Sequence, residues 1–268
     1  MKKARIMGTD TDGNFIEHMM WDEVARHIGN GAAAILPVGA AAKEHGFHLP
    51  LNTDRVQAEW LASQLAVRFD ALIWPTLAYG YYPAFVAYAG SSSLSAETFE
   101  AMVHEIGSGI LDHGCRKLFV LNTGISTLAP VERALARLDA GNVMHLRIHD
   151  GPRYRQAVER LSEQTHGGHA DERETSLMLA LAPHLVDMTR AEPSPAIGFE
   201  APGPLTPLDV NSPNYSRSGS YGDPTLATAA KGEILLTAML DDLREQVAAF
   251  IDPAAAFQQS DTVRSVSR

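Results

Sequence analysis

Residues 36–54 read LPVGAAAKEHGFHLPLNTD, and this stretch joins a strand to a group of chemically active side chains. The small apolar residues from Ala32 to Val38 are typical of a strand buried on both faces of a sheet, and the run ends at Gly39. Functional groups commonly follow such strands. We therefore expect the loop after Gly39 to carry part of the site.

That loop contains four candidate metal ligands within the segment 44–54, namely Glu44, His45, His48 and Asp54. Carboxylates and imidazoles together suit zinc or manganese, and such an ion lowers the pKa of a coordinated water to about 7 and polarises a carbonyl group. The alternative is an ordinary polar loop in which Asp54 caps the helix that follows. The spacing alone leaves both interpretations open.

Composition and charge restrict the classes of partner. The chain has 268 residues, of which 45% are apolar and 20% are charged, so it can fold around a large core, and we expect one domain over residues 1–252. A net charge of −10 argues against binding to nucleic acid and to anionic lipid. Small molecules are therefore the expected partners.

Cysteine usage and hydropathy bear on location. Cys115 is the single cysteine and has no partner for an internal disulfide, and the first residues lack the apolar core of a signal peptide. No apolar run approaches the ~18 residues that a transmembrane helix needs. We expect a cytoplasmic protein without a membrane span.

Apolar spacing predicts strands and helices along the whole chain. The predicted strands are 32–38, 71–77, 118–122 and 143–148, and the predicted helices are 16–28, 54–69, 95–114, 130–138, 177–181 and 227–250. The Pro- and Gly-rich segment 191–228 is predicted to be a functional or interface loop. Residues 253–268 are expected to form a flexible tail.

Two further loops carry candidate pocket residues. Segment 79–90, YGYYPAFVAYAG, has aromatic side chains that either line a pocket, with Tyr82 and Phe85 as candidates, or form a subunit contact. We expect a homo-oligomer because this loop has so many aromatic residues. Segment 122–127, NTGIST, follows the third strand and can present backbone N–H groups to an anion, with Ser126 beside them.

The segment 165–176, THGGHADERETS, is the second candidate site. His166, His169, Asp171, Glu172 and Glu174 lie close together beside a Gly-Gly pair. Acidic residues are common at a helix N-terminus, but histidines after glycines that allow close backbone approach are less common there. This pattern favours a functional site.

These stretches together resemble the creatininase family, whose first motif is a strand, PVG, EQHGPHLPL and then TD. The counterpart here is PVGAAAKEHGFHLPLNTD, and the resemblance continues through GYYPAFVAYAGSSSL, His113-Gly114, strand 118–122, GGHADERETS and YGDPTLATAAKG. It covers roughly residues 20–250. The chain is identified as a divergent member of that family.

The resemblance implies a fold, an activity and an assembly. The fold is a single three-layer α/β/α domain with a mostly parallel four-stranded sheet, usually assembled as a hexamer. The family uses zinc or manganese, often as a pair, to hydrolyse non-peptide amide bonds in small or cyclic molecules.

The resemblance also implies roles for individual residues. His45 matches a metal-binding histidine, and Asp54 matches the carboxylate that bridges two metals. Strict spacing places Lys43 where the family has a glutamate, although one extra residue could move Glu44 into that role. His169 matches a catalytic histidine, and Glu172 and Glu174 match the acidic positions of the same motif.

The chain departs from the family pattern after the third strand. The family carries NGHGGN or NGHYEN there, with a histidine and in creatininase also a glutamate as ligands, and this chain has NTGIST instead. We therefore expect one metal ion instead of two. Phe85 stands where many relatives have a histidine, so substrate identity does not transfer.

Three functional hypotheses follow. In the first, the protein is a metal-dependent amidohydrolase in which Glu44, His45, Asp54 and one of His169, Glu172 or Glu174 hold the ion. The last three also move protons, and His48, Tyr82, Phe85 and Ser126 line the substrate pocket. In the second, hydrolysis is lost and the protein binds a small molecule or acts in an assembly. In the third, His169 acts as a base without metal and the 123–127 turn stabilises an oxyanion.

Overall fold

Four parallel strands form the centre of the fold. The computed structural model describes residues 14–194 and 204–252. The strands are β1 (Ala33–Val38), β2 (Ala71–Ile73), β3 (Leu118–Asn122) and β4 (Val143–Arg147), in the spatial order β2-β1-β3-β4. Every residue of β1 and β3 is buried, as expected for central strands covered on both faces.

Seven α-helices cover the sheet within the described residues. They are α1 (Trp21–Gly29), α2 (Thr53–Phe69), α3 (Ala96–Asp112), α4 (Leu128–Leu135), α5 (Pro152–Leu161), α6 (Glu172–Leu181) and α7 (Ala229–Ile251). Ile35 on β1 packs with side chains of α2, α5, α6 and α7, whereas its neighbour Leu36 packs with those of α3 and α4. Alternate residues of one strand thus face two helical layers, which confirms the predicted α/β/α fold.

Several boundaries differ from the prediction. The second strand ends at Ile73 instead of residue 77. The N–H of Trp74 still donates to Ile35 of β1, but the next donor to β1 is Leu77, three residues later, so the regular alternation is broken and Leu77 forms only an isolated bridge to Val38. The first helix begins at Trp21, after a short 3-10 turn at Ile16–His18.

Helix α5 was not predicted. It begins with Pro152 and is mostly polar, and only Tyr154 and Ala157 are fully buried along it. Two buried positions give too weak an apolar period to identify a helix. Helix α5 nevertheless forms one wall of a cavity, which is described below with the site.

Ser95 is the N-cap of α3, and its hydroxyl accepts a hydrogen bond from the backbone N–H of Thr98 at 3.1 Å. The predicted single domain stays a prediction. The predicted tail, residues 253–268, lies outside the described residues. In the described part of the chain, none of the helices combines the length and apolar character that crossing a bilayer requires.

Candidate active site

The loop after β1 fixes the ring of His45 in one orientation. Nδ1 of His45 lies 2.9 Å from the backbone carbonyl of Lys43, and because a carbonyl only accepts, Nδ1 must carry the proton and donate it. When the ring is neutral, Nε2 then carries a lone pair. That atom is directed at two carboxylates, with Asp54 Oδ1 at 3.2 Å and Glu174 Oε1 at 3.6 Å.

His169 is held in the same way by the opposite ring nitrogen. Its Nε2 donates to the backbone carbonyl of Glu44 at 2.9 Å and also lies 3.3 Å from Glu44 Oε2. Nδ1 is thereby left as the acceptor, and it faces Glu174 Oε2 at 3.7 Å. Burial alone would lower the pKa of His169, but the Glu44 carboxylate outweighs burial and raises it above its ordinary value.

His45, His169 and Glu174 form a cluster that fits a metal ion. One ligand atom from each lies within 4.8 Å of the others, and both histidines are buried. Each imidazole donates its remote N–H to a backbone carbonyl, which is the outer arrangement that metal-binding histidines usually have. Lone pairs and carboxylate oxygens that face one another without a shared proton repel, so a divalent cation among them removes an unfavourable contact.

Asp54 lies beside this cluster and forms an ion pair with a lysine. Asp54 Oδ2 is 2.7 Å from Nζ of Lys43, and both side chains are buried. Burial alone would raise the pKa of Asp54, but the Lys43 ammonium and then the His45 ring hold it well below its usual range. Burial alone would lower the pKa of Lys43, but the carboxylates of Asp54 and Glu174 outweigh burial and raise it, so the ammonium stays charged.

Asp54 does not cap its helix. Helix α2 begins at Thr53 with Asn52 at the N-cap, and no side chain makes a capping hydrogen bond there. Asp54 therefore lies in the first turn, where the helix dipole favours a negative charge. The competing interpretation of Asp54 as a simple cap is wrong.

A cavity of about 730 Å³ opens over these side chains. Lys43, Asp54, His169 and Glu174 line it on one side, and α5 forms another wall with Tyr154. The predicted pocket residues Tyr82, Phe85 and Ser126 also line this cavity. Tyr82, Phe85 and Tyr88 are buried within the chain, so the aromatic loop offers much less exposed aromatic surface than the sequence led us to expect.

The long segment after α6 completes the site, as the sequence predicted for a functional loop. Tyr221 pairs with His169 through backbone hydrogen bonds, and the N–H of Tyr221 donates to the carbonyl of His169 at 2.7 Å. Ala170 has φ = 46°, in the left-handed region that favours glycine, and its N–H donates to Glu174 Oε2 at 2.7 Å. This strained residue directs both His169 and Glu174 toward the cluster.

A glycine of the same segment lets the Glu44 carboxylate reach His169. Gly219 has φ = 90°, and a Cβ at this position would overlap the Glu44 carboxylate. We expect Gly219→Ala to lower the free energy of unfolding by about 1–3 kcal/mol and to weaken metal binding, because Glu44 must move. In the matched control Gly109→Ala, on an open face of α3, the added methyl meets nothing, and we expect a gain of about 0.5–1 kcal/mol. Urea unfolding and metal titration of both variants measure these effects, and equal unfolding midpoints would contradict the packing argument.

Glu44 and His48 do not belong to the cluster of His45, His169 and Glu174. The carboxylate of Glu44 is not part of it: Glu44 accepts from the N–H of Gly46 at 2.5 Å and contacts His169, so it orients that ring. His48 does not line the cavity, because its Nε2 bonds to Thr175 Oγ1 at 2.7 Å in a buried pair.

The structure does not bring Glu172 to the cluster. Its carboxylate bonds to Lys231 Nζ at 2.5 Å and to the backbone N–H groups of Glu163 and Gln164 at 2.9 Å each. Burial alone would raise the pKa of Glu172, but these hydrogen bonds lower it. The side chains of Glu172 and Glu174 point in different directions, because positions two residues apart are about 200° apart around a helix.

The structure also brings residues to the site that the sequence interpretation left out. Lys43 was noted only as a departure from the family motif, and His149 was not among the predicted site residues, yet both line the cavity. His149 follows β4, so its place after a parallel strand was a usable signal. Burial lowers the pKa of His149, which leaves it neutral near pH 7.

Comparisons with known proteins give one consistent result. The sequence model of the creatininase family, described as creatinine amidohydrolase, matches residues 17–247. The creatinine amidohydrolase of Pseudomonas putida is 26% identical over 255 residues, which cover 87% of this chain and 95% of that protein. The mycofactocin precursor peptide peptidase of Mycobacterium tuberculosis is 29% identical over 232 residues, which cover 80% of this chain and 84% of that protein.

Solved structures agree with the sequence comparisons. A crystal structure of creatinine amidohydrolase superposes with a TM-score of 0.79 at 26% identity and covers 90% of this chain and 99% of that chain. A creatininase described as the Mn form and a variant described as Zn–Zn type each superpose with a TM-score of 0.75 at 25% identity; they cover 87% of this chain and, respectively, 97% and 96% of theirs. The matched region includes the whole sheet and every residue of the His45, His169 and Glu174 cluster. The chain belongs to the creatininase family.

Proposed function

We propose that this protein is a metal-dependent amidohydrolase that cleaves a carbon–nitrogen bond of a small, non-peptide amide, cyclic amides included. The observation that carries the proposal is the convergence of His45 Nε2, His169 Nδ1 and the Glu174 carboxylate in one cluster, of which His169 and Glu174 line the cavity. Two of the relatives, named creatinine amidohydrolase and mycofactocin precursor peptide peptidase, are named for cleavage of an amide bond. A cavity of about 730 Å³ is in the size range of small-molecule sites.

The residues of the site have separate roles in metal binding, orientation and proton transfer. A divalent zinc or manganese ion bound there supplies Lewis acidity and acidifies water. His45, His169 and Glu174 hold the ion, and Glu44 keeps His169 in the tautomer that binding requires. We assign proton transfer to Glu174, whose side chain is 19% exposed and lines the cavity.

Polar atoms without partners mark where an amide can bind. Gln57 Nε2 and Tyr82 Oη are buried without a hydrogen-bond partner, and both residues line the cavity. Buried polar groups of this kind cost free energy unless a ligand or water satisfies them. A small polar amide offers both a carbonyl acceptor and an N–H donor.

Metal removal tests the proposal directly. Protein purified without chelator should carry zinc or manganese by elemental analysis, and amide hydrolysis should fall more than about 100-fold on chelation and return when metal is added. Less than about a tenth of an equivalent of metal, not restored by added zinc or manganese, contradicts the proposal.

A second candidate is a family member that binds a small molecule without turnover. The observation in its favour is that Gly124 and Ser126, neither of which can replace an imidazole or a carboxylate ligand, form part of the cavity wall. A screen of amides and lactones with and without chelator separates the candidates. Activity lost on chelation supports the first, binding without turnover supports the second, and activity that resists chelation points to metal-free catalysis by His169.

We also propose a cytoplasmic homo-oligomer, with a hexamer favoured by family resemblance. Met20 and Trp21 at the start of α1 are 71% and 83% exposed, and large exposed apolar side chains mark interfaces. A single light-scattering mass equal to the 29.0 kDa monomer would contradict the oligomer.

A further inference from the structure

We infer that Lys43 is a built-in cation of the site: its ammonium neutralises Asp54 permanently, limits the site to one divalent ion and weakens the binding of that ion. The inference rests on the proposed function, because it concerns the metal that the function needs. It concerns a residue of this chain that the metal-binding cluster does not include.

The geometry places the ammonium where a cation contacts Asp54. Lys43 Nζ lies 2.7 Å from Asp54 Oδ2 and 5.1 Å from the ring centre of Phe85, and only 8% of the lysine side chain is exposed. Asp54 Oδ2 has no aligned hydrogen-bond donor, so the attraction is one of charge. Asp54 Oδ1 faces His45, so one carboxylate lies between the ammonium and the metal-binding cluster.

Charge balance points to one divalent ion. Lys43, Glu44, Asp54 and Glu174 bring three carboxylates and one ammonium together, with two negative charges left over when the imidazoles are neutral. Buried charge without compensation is costly, and one divalent cation removes it completely. A second divalent cation would create an excess positive charge beside the ammonium.

Other charged groups near the site do not alter this balance. Asp171 pairs with Arg173 at 2.7 Å, and Glu172 pairs with Lys231 at 2.5 Å. The first pair is neutral as a unit, and Lys231 also pairs with Glu163, whose side chain is 65% exposed to solvent. The ammonium of Lys43 is therefore the charge in this group that acts against a bound cation.

Isothermal titration and elemental analysis of the full chain with Mn²⁺ and with Zn²⁺ test the inference. The parent should retain one ion per chain, even after dialysis against excess metal. Lys43→Met keeps the length of the side chain and removes its charge, so it should bind its first ion at least about tenfold more tightly, because repulsion is removed and Asp54 is released. Lys43→Arg keeps the charge and should bind within about threefold of the parent.

Lys117→Met is the matched control, because Lys117 lies just before β3, at the sheet edge opposite the site, where it bonds to the carbonyl of Gly141. It should leave the metal affinity unchanged. A parent that retains two ions overturns the inference, as does a Lys43→Met variant that binds metal within about twofold of the parent. The number of ions that the parent retains tests the prediction of one ion per chain, even if Lys43→Met fails to fold. A parent that binds no metal overturns the proposed function itself, which distinguishes the two failures.

Discussion

Replacing His45 by asparagine is expected to remove bound metal and to lower kcat/KM by more than about 100-fold, since even outer partners of metal ligands commonly cost 10- to 100-fold. The asparagine side chain reaches about as far as Nδ1 of histidine. Its amide can therefore still donate to the carbonyl of Lys43, which the ring contacts at 2.9 Å. The lone pair at Nε2, which faces Asp54 and Glu174, is lost.

This substitution separates ligand loss from fold loss. In the presence of chelator the variant should unfold within about 2 kcal/mol of the parent, because the buried hydrogen bond is kept. His104→Asn is the control: His104 lies on α3 and does not line the cavity, so metal content and kcat/KM should stay at parent values. A His45→Asn protein that holds a full equivalent of metal would remove this residue from the site.

Glu174→Gln and Glu172→Gln are expected to have opposite effects, although the residues lie two positions apart on α6. Glu174→Gln keeps an oxygen to accept the Ala170 N–H, which lies 2.7 Å away, but loses the charge that a metal needs. We expect it to lose most bound metal, and more than about 100-fold in kcat/KM, with little change in the stability of chelated protein.

Glu172→Gln should keep its metal and lose stability. Its carboxylate contacts Lys231 at 2.5 Å and accepts two backbone N–H groups, so the amide costs about 1–3 kcal/mol of unfolding free energy. Because the pKa of Glu172 is lowered in the fold, its contribution is fully present above the ordinary glutamate value of about 4.3 and is lost on further acidification. Thermal unfolding at pH 7, with metal analysis of the same samples, measures both quantities. Equal metal content in the two variants would contradict the assignment.

Local sequence patterns were sufficient for the sheet but not for the site. Strands β1 and β3 are buried on both faces, so their apolar runs identify them without knowledge of the rest of the chain. The cluster depends on which way each side chain points. Glu44 and His45 are neighbours that turn to different partners, and Glu172 and Glu174 lie on different faces of one helix.

The role of Lys43 shows why composition cannot replace geometry. Within the segment 43–54, Lys43 is a cation beside candidate metal ligands. A search of the sequence for ligands passes over such a residue, because a lysine is not one of the ligand types sought. The ammonium of Lys43 reaches Asp54, in the first turn of α2, only when the loop between them is folded. The family resemblance implies that Lys43 stands where the family has a glutamate, but it could not say what the ammonium contacts.

The backbone pairing of Tyr221 with His169 has a consequence for how the molecule folds. It closes a long loop, and the bond from the Tyr88 hydroxyl to the Ser216 carbonyl spans 128 positions of the chain. Contacts between distant segments lose loop-closure entropy before they return any stabilisation, so we expect the contacts of this site to form late in folding. Groups at the site should then have φ-values near zero, so a bound ion slows unfolding and leaves the folding rate nearly unchanged. The supply of metal should therefore change the lifetime of the native state more than it changes the folding rate.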